Sequence, residues 1–231
     1  MNLIYQCFDK ELPKWAQISS TKFRKYSEHV GAEYLCETKS VFAPMCPYYE
    51  HLKLIYDPPF EKYDKILYCD LDVVPEKQEN IFDVPIEDVG MVAERQYPNM
   101  TTTVGFTSPD NQKMYQRGIA QFGLKGIQEN GKYIIYNSGV ILWSREGRMK
   151  ARRSFIEWYK WWKEITASKQ MKLDQPFINS QLEKLNLTEL PLKWNCFPEV
   201  RWQPSYYPED RCFVHYTNKK KIMIEEIYNE N

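Results

Sequence analysis

Two aspartates, Asp70 and Asp72, close the stretch Tyr63-Asp64-Lys65-Ile66-Leu67-Tyr68-Cys69-Asp70-Leu71-Asp72-Val73-Val74-Pro75. The apolar run Ile66 to Cys69 is too short for a helix and reads as a buried strand. In extended chain, residues i and i+2 point the same way, so Asp70 and Asp72 converge on one cation or one phosphate. Pro75 then ends the pairing. Acids at the carboxyl end of a central strand lie where open α/β sheets bind ligands. The plainer alternative is a strand running into a turn, with both acids solvated or capping.

Two later features give this pair company. His215 ends the short strand Phe213-Val214-His215-Tyr216 and is a candidate third ligand. Hard divalent cations take oxygen ligands, and one added imidazole shifts preference toward Mn²⁺-like ions. Lys219-Lys220-Lys221 follow at once. A metal and a lysine on the same diphosphate would stabilise a departing leaving group. Taken alone, the histidine reads equally as a core or surface residue and the lysines as a solvated face.

The elements that must position these groups alternate. Asn2 to Phe8 reads as a first strand, and a helix from Pro13 to Val30 places Trp15, Ile18, Phe23, Tyr26 and Val30 near one face, with Gly31 as a left-handed stop. Glu33 to Glu37 alternates as a second strand, Pro47 to Tyr56 is a short helix ended by Asp57-Pro58-Pro59, and the Asp70 strand follows. Strand, helix, strand, helix, strand predicts a parallel nucleotide-binding sheet. Val89 to Ala93 is another strand, and Ser108-Pro109-Asp110 opens a helix. The most apolar segment, Tyr133 to Trp143, is interrupted by Asn137-Ser138-Gly139, which suggests a strand broken where its backbone approaches a ligand. A long helix is predicted from Ser144 or Glu146 to about Thr166, with Phe155, Trp158, Tyr159 and Trp162 packing inward. Asp174-Gln175-Pro176 opens a further helix, placing a carboxylate and an amide at its start.

Composition narrows the classes. With 31 basic and 31 acidic residues, nothing electrostatic points to nucleic acid or an anionic membrane. Aromatic residues make up 15%, which suits a carbohydrate-handling surface as well as a core. Cys7, Cys36, Cys46, Cys69, Cys196 and Cys212 are scattered without metal spacing and read as buried thiols of a reduced compartment. No run approaches the roughly 18 apolar residues of a membrane span, and the chain starts directly in a strand. The expectation is a soluble cytoplasmic protein forming one domain over 1–231: a nucleotide-binding half to about residue 95, an acceptor and sugar half to about 221, and a tail.

The order of Tyr-Asp-Lys-Ile-Leu-Tyr-Cys-Asp-Leu-Asp-Val-Val, Asn-Ser-Gly-Val, Asp-Gln-Pro-Phe-Ile-Asn, Leu-Lys-Trp-Asn and His-Tyr-Thr-Asn-Lys-Lys-Lys resembles glycosyltransferase family 8. That is the family of glycogenin and of bacterial lipopolysaccharide galactosyl- and glucosyltransferases. The resemblance runs from the first strand to about Lys221. It implies the GT-A fold, an α/β Rossmann-like domain with a mostly parallel central sheet, and transfer of a hexose from a UDP-sugar to a glycan or other hydroxyl acceptor with retention. It further implies that Asp70 and Asp72, with Leu71 between them, hold Mn²⁺ or Mg²⁺ together with His215. The family's closing pattern, His-x-x-Gly-x-x-Lys-Pro-Trp, keeps its spacing in His215 and Lys221, while Asn218 replaces Gly and Ile222-Met223 replaces Pro-Trp. Lys221 is thus the diphosphate lysine, with Lys219 and Lys220 as substitutes. Asn137 and Ser138 would contact the donor sugar or acceptor, and Asp174 with Gln175 would lie beside the anomeric carbon. By position alone, Tyr5 would stack on the base and Lys53 would reach a phosphate or one of the paired carboxylates.

Two other readings use the same residues. In a haloacid dehalogenase-type phosphatase Asp70 would be the nucleophile and Asp72 the general acid. Such enzymes also need a late acidic pair after another apolar strand, and none appears downstream. The other is a non-catalytic sugar-nucleotide or glycan-binding module. Within the transferase reading, Glu94 or Asp174 offers a general base for an inverting reaction.

Overall fold

The computed structural model describes residues 1–96, 109–198, 209–217 and 221–228. Its centre is a six-stranded sheet. From one edge run β2 (Glu33–Glu37), β1 (Asn2–Cys7), β3 (Lys65–Cys69), β8 (Tyr136–Ser144), β5 (Val89–Ala93) and β9 (Leu187–Glu189). β1 is parallel to β2 and to β3, β9 is parallel to β5, and only β8 runs against its neighbours. The sheet is therefore mostly parallel, as expected.

Alternation along the strands divides the core in two, because successive side chains face opposite ways. Leu3, Tyr5, Ile66, Tyr68, Ile141 and Trp143 enter one cluster, with Tyr49, Trp161 and Phe177 from the helices below. Ile4, Leu67, Cys69, Val140 and Leu142 enter the other, with Phe23 and Tyr26 of α1 (Lys14–Val30) above. α1 stops at Gly31, whose φ of 66° is left-handed and easy for glycine. Its inward face differs from the expected one. Ser19, Ser20 and Ser27 are buried beside Phe23 and Tyr26, and Ser19 Oγ donates to the Val73 carbonyl at 2.5 Å. Trp15 and Ile18 instead pack toward the C-terminal helix.

The turn Pro47–Leu52 leads into α2 (Lys53–Tyr56), and β4 (Val73–Pro75) follows β3. Next come α3 (Pro109–Ala120) and a hairpin, β6 (Gln128–Glu129) and β7 (Lys132–Tyr133). That hairpin turns at Asn130 and Gly131, both at positive φ, as a two-residue turn matched to strand twist requires. The predicted helix to Thr166 is in fact two, α4 (Arg145–Ser154) and α5 (Trp158–Glu164). The chain is extended at Phe155 and Glu157 between them, where tertiary partners take over the helix end. Lys184 Nζ donates to the Ser154 carbonyl and Gln181 Oε1 accepts from Ile156 N–H. α6 (Asp174–Gln181) follows, and near the end of the chain β10 (Phe213–His215) precedes α7 (Ile222–Tyr228). No helix among the described residues is long and apolar enough to cross a membrane.

Glu50 pins the segment that leads to the cleft. Its buried carboxylate accepts from the N–H groups of Val41, Phe42 and Ala43 and from Ser40 Oγ. Burial alone would push its pKa up, but these donors outweigh burial and hold it below the usual carboxylate value. A depressed folded pKa means that this stabilisation is present above the unfolded value and is lost as pH falls through the folded one. Glu50→Gln should therefore cost on the order of 2 kcal/mol at neutral pH in urea unfolding, and the difference from wild type should shrink in acid.

Candidate active site

The paired aspartates stand where β3 leaves the sheet. Extended geometry does not bring them together, contrary to the spacing argument: Val73 N–H donates to the Asp70 carbonyl at 3.1 Å, so Asp70 to Val73 is a turn. β10 pairs antiparallel with β4, setting His215 opposite Val73. His215 Nε2 then lies 3.2 Å from Asp72 Oδ1 and 3.7 Å from Asp70 Oδ2. One ligand atom from each of the three falls within 4.8 Å of the others. The imidazole fits only because residue 139 is glycine: a Cβ there would meet His215 Cε1 at 2.2 Å.

Asn137-Ser138-Gly139 does not break β8. Toward β3 the ladder continues, with Asp70 N–H on the Gly139 carbonyl at 2.8 Å. Toward β5 it bulges, since the two steps from Met91 to Ala93 span the five from Ile141 back to Tyr136. Such a bulge re-aims side chains at a site.

The electrostatics follow from crowding. Burial, then repulsion by Asp72, pushes the Asp70 carboxyl up to about 6. Asp72 is the more buried of the two, yet His215 first and Lys221 next hold it below the usual range. Burial opposes charge on His215, but Asp72 first and Asp70 next raise its pKa. Lys221 Nζ sits 2.9 Å from Asp72 Oδ2 and 4.8 Å above the Trp15 ring. Two carboxylates and one imidazole form a donor set suited to a divalent ion of the Mn²⁺ type.

Asp70, Asp72 and Lys221 floor a cleft of about 420 Å³, lined also by Cys7, Phe8, Asp9, Tyr48, Tyr68 and Asp174, while His215 is buried against the acids. Asp70, Leu71, Asp72, Asp174 and Lys221 all reach it. Asn137, Ser138 and Gln175 form a hydrogen-bonded group that meets the site through Gly139 and His215: Gln175 Oε1 accepts from Asn137 Nδ2 and Ser138 N–H, both at 3.2 Å. Two positional expectations fail. Tyr5 is fully buried, edge-on to Phe60 at 5.7 Å, with its hydroxyl on Glu37, so no ring face is open to a base. Lys53 Nζ is 2.5 Å from Glu37 Oε2 and does not reach either paired aspartate. Lys219 and Lys220 lie outside the described residues.

Sequence reasoning missed His51 and Tyr68. His51 is buried and stacks on Tyr68 at 4.3 Å, and its Nε2 lies 3.3 Å from Asp174 Oδ2. Among the described residues its Nδ1 meets no hydrogen-bond partner, whereas Nε2 faces a carboxylate that accepts and so donates to Asp174. Tyr68 in turn donates to Asp70 Oδ1 at 2.5 Å. Phe8 and Asp9 had a usable signal, since they follow β1, whose carboxyl end adjoins that of β3.

Glycosyl transferase family 8 matches residues 9–222, and the chain belongs to that family. It is therefore a glycosyltransferase with the GT-A fold. Its structure is similar to a glycosyltransferase involved in glycosylation of the major capsid of PBCV-1 (TM-score 0.57, 12% identity, 99% of this chain and 98% of that one). It also resembles the bifunctional glycosyltransferase WbbM (0.55, 15%, 95% and 46%) and an active-site mutant of LgtC (0.53, 15%, 98% and 94%). Among curated proteins, none matches significantly.

Gly139→Ala should displace the imidazole, shifting the ring resonances of His215 in NMR spectra and destabilising the fold by about 1–3 kcal/mol.

Proposed function

We propose that this protein transfers a hexose from a nucleoside-diphosphate sugar, a UDP-sugar, to a hydroxyl of a glycan or other acceptor, with retention and with Mn²⁺ or Mg²⁺ bound. The observation that carries this is the convergence of Asp70, Asp72 and Lys221 on the floor of one cleft, with His215 buried against both acids. Asp70, Asp72 and His215 would hold the ion, which when bound supplies charge stabilisation for the departing diphosphate. Lys221, part-exposed at the cleft, turns from Asp72 to a phosphate oxygen and offsets the charge that develops there.

Along the cleft wall Phe8 meets Trp15 edge to face at 6.0 Å, with Lys221 over the Trp15 ring, and Phe8 offers an aromatic surface for the base, in place of Tyr5. Asp174, oriented by His51, accepts a sugar hydroxyl beside the anomeric carbon, with Gln175, Asn137 and Ser138 backing that subsite. Glu94 is buried behind Gln175 and does not line the cleft, which leaves Asp174 as the better placed of the two acids. Retention rests on family membership: the acceptor hydroxyl attacks from the face the diphosphate leaves, and the diphosphate takes its proton. The matched region acts as one catalytic domain. All six cysteines are unpaired, which suits a cytoplasmic setting.

Incubation with UDP-hexoses and Mn²⁺ should release UDP slowly without acceptor, and chelation should stop it. Release of phosphate from a monoester, or of no nucleotide at all, would sink the transferase chemistry proposed. Asp70→Ala and Asp72→Ala should each lower turnover at least 100-fold with the fold intact by circular dichroism. Lys221→Ala should reduce kcat more than Mn²⁺ affinity. The anomer of the product, read by NMR, should match that of the donor; inversion would overturn the retaining assignment.

A further inference from the structure

Among the described residues, five of the nine large apolar side chains left exposed lie on one rim beside the cleft: Val41, Met45, Tyr48, Tyr159 and Leu173. Contacts beneath them join the three segments involved. Phe42 and Tyr49 pack on Trp158 at 5.8 and 5.0 Å, Tyr159 stacks on Trp162 at 5.9 Å, and the Tyr49 hydroxyl donates to the carbonyls of Lys172 and Leu173. Tyr48 itself lines the cleft, and Leu173 directly precedes Asp174, which lines it too. The rim is therefore one lip of the cleft mouth.

Its exposure is built in. Val41 is 74% and Met45 56% exposed, yet Glu50 fixes the backbone from Val41 to Ala43, and buried Ala43 and Cys46 anchor the loop on either side of Met45. A loop so pinned holds those side chains outward. Lysines ring the same lip: Lys39, Lys160, Lys163, Lys169 and Lys172. Among the described residues none of the five pairs with a carboxylate, and Lys172 Nζ stands 5.7 Å over the Trp162 ring. The acids of this stretch, Glu157 and Glu164, sit at the two ends of α5. The net charge of zero is a sum over the whole chain, whereas this face is cationic.

What covers such a face follows from its chemistry. A glycan needs hydrogen-bonding side chains among the rings, and Val41, Met45 and Leu173 offer none. Protein partners bury surfaces depleted in lysine. Aliphatic tips, tyrosine and tryptophan, with long cations around them, match the boundary between lipid headgroups and acyl chains, where rings lie apolar side inward and lysine stems reach back to phosphate.

We propose that this lip seats on an anionic phospholipid surface, with Val41, Met45, Tyr48 and Leu173 entering the headgroup boundary and the five lysines meeting phosphate. Seated so, the cleft opens at the lipid surface and receives an acceptor hydroxyl carried on lipid. That consequence rests on the transferase reading; the seating itself does not.

The test is sedimentation with vesicles of phosphatidylcholine alone, or of equal parts phosphatidylcholine and phosphatidylglycerol, with neither donor nor metal present. The protein should bind the anionic vesicles, less so as salt rises, and the neutral ones weakly. Val41→Asp with Met45→Asp should weaken binding about tenfold or more, with circular dichroism and acceptor-free UDP release unchanged. Each of the five lysines changed to glutamine should cost about fivefold, and these variants carry the test if the aspartate pair fails to fold. Lipid brominated in its acyl chains should quench tryptophan fluorescence, and less so in Trp162→Phe. No binding to anionic vesicles overturns the proposal. So does binding that both sets of changes leave intact, which would put lipid on another face. Vesicle binding without any UDP release would sink the transferase reading and leave the seating in place.

Discussion

Two carboxylates held together in a turn at the cleft floor, Asp72 buried and Asp70 part-exposed, are the constraint that organises this structure. Like charges at that distance in a poorly solvated place repel, and Asp70 shows the strain in a carboxyl pushed up to about 6. The turn persists because positive charge converges on it from the end of the chain. His215 comes from β10 and Lys221 from the start of α7, and both lean on Asp72. The surroundings thus supply part of the charge that two neighbouring carboxylates need.

The fold makes this possible through its one reversed strand. β8 lies between β3 and β5, so the backbone beside the DxD turn runs opposite to the parallel strands that deliver it. That strand keeps its ladder with β3 while bulging away from β5, and so presents Asn137, Ser138 and Gly139 to the site without loosening the strand that carries Asp70. The parallel edge does separate work, ending β1 and β3 side by side with Phe8 and Asp9 facing the same cleft.

Much of this was legible in the sequence because it follows from local rules. Gly31 ends α1, β1, β2, β3, β5, β8 and β10 lie on the runs that predicted strands while the edge strand β9 was not foreseen, and Asp70, Asp72, His215 and Lys221 meet as the motif order implied. What was not legible depends on partners distant in sequence. Tyr5 sits at a strand end, but its alternation sends it into the core, where Glu37 holds its hydroxyl. Lys53 is spent on that same Glu37. The break between α4 and α5 needs Gln181 and Lys184, which no helical period reveals. His51 gave no signal, because a lone histidine on a short helix acquires meaning only when Asp174 arrives beside it.

The C-terminal helix has a consequence for how the protein comes into being. Glu225 accepts a hydrogen bond from Trp15 N–H, 210 positions earlier, filling an opening of α1 that has no side-chain cap of its own. Tyr228 reaches back to Glu76 across 152 positions. Contacts of such long range form late, after local structure has paid its entropy of closure. During synthesis the DxD turn therefore emerges long before its histidine and lysine do. A chain cut before β10 carries the acids without their histidine and lysine.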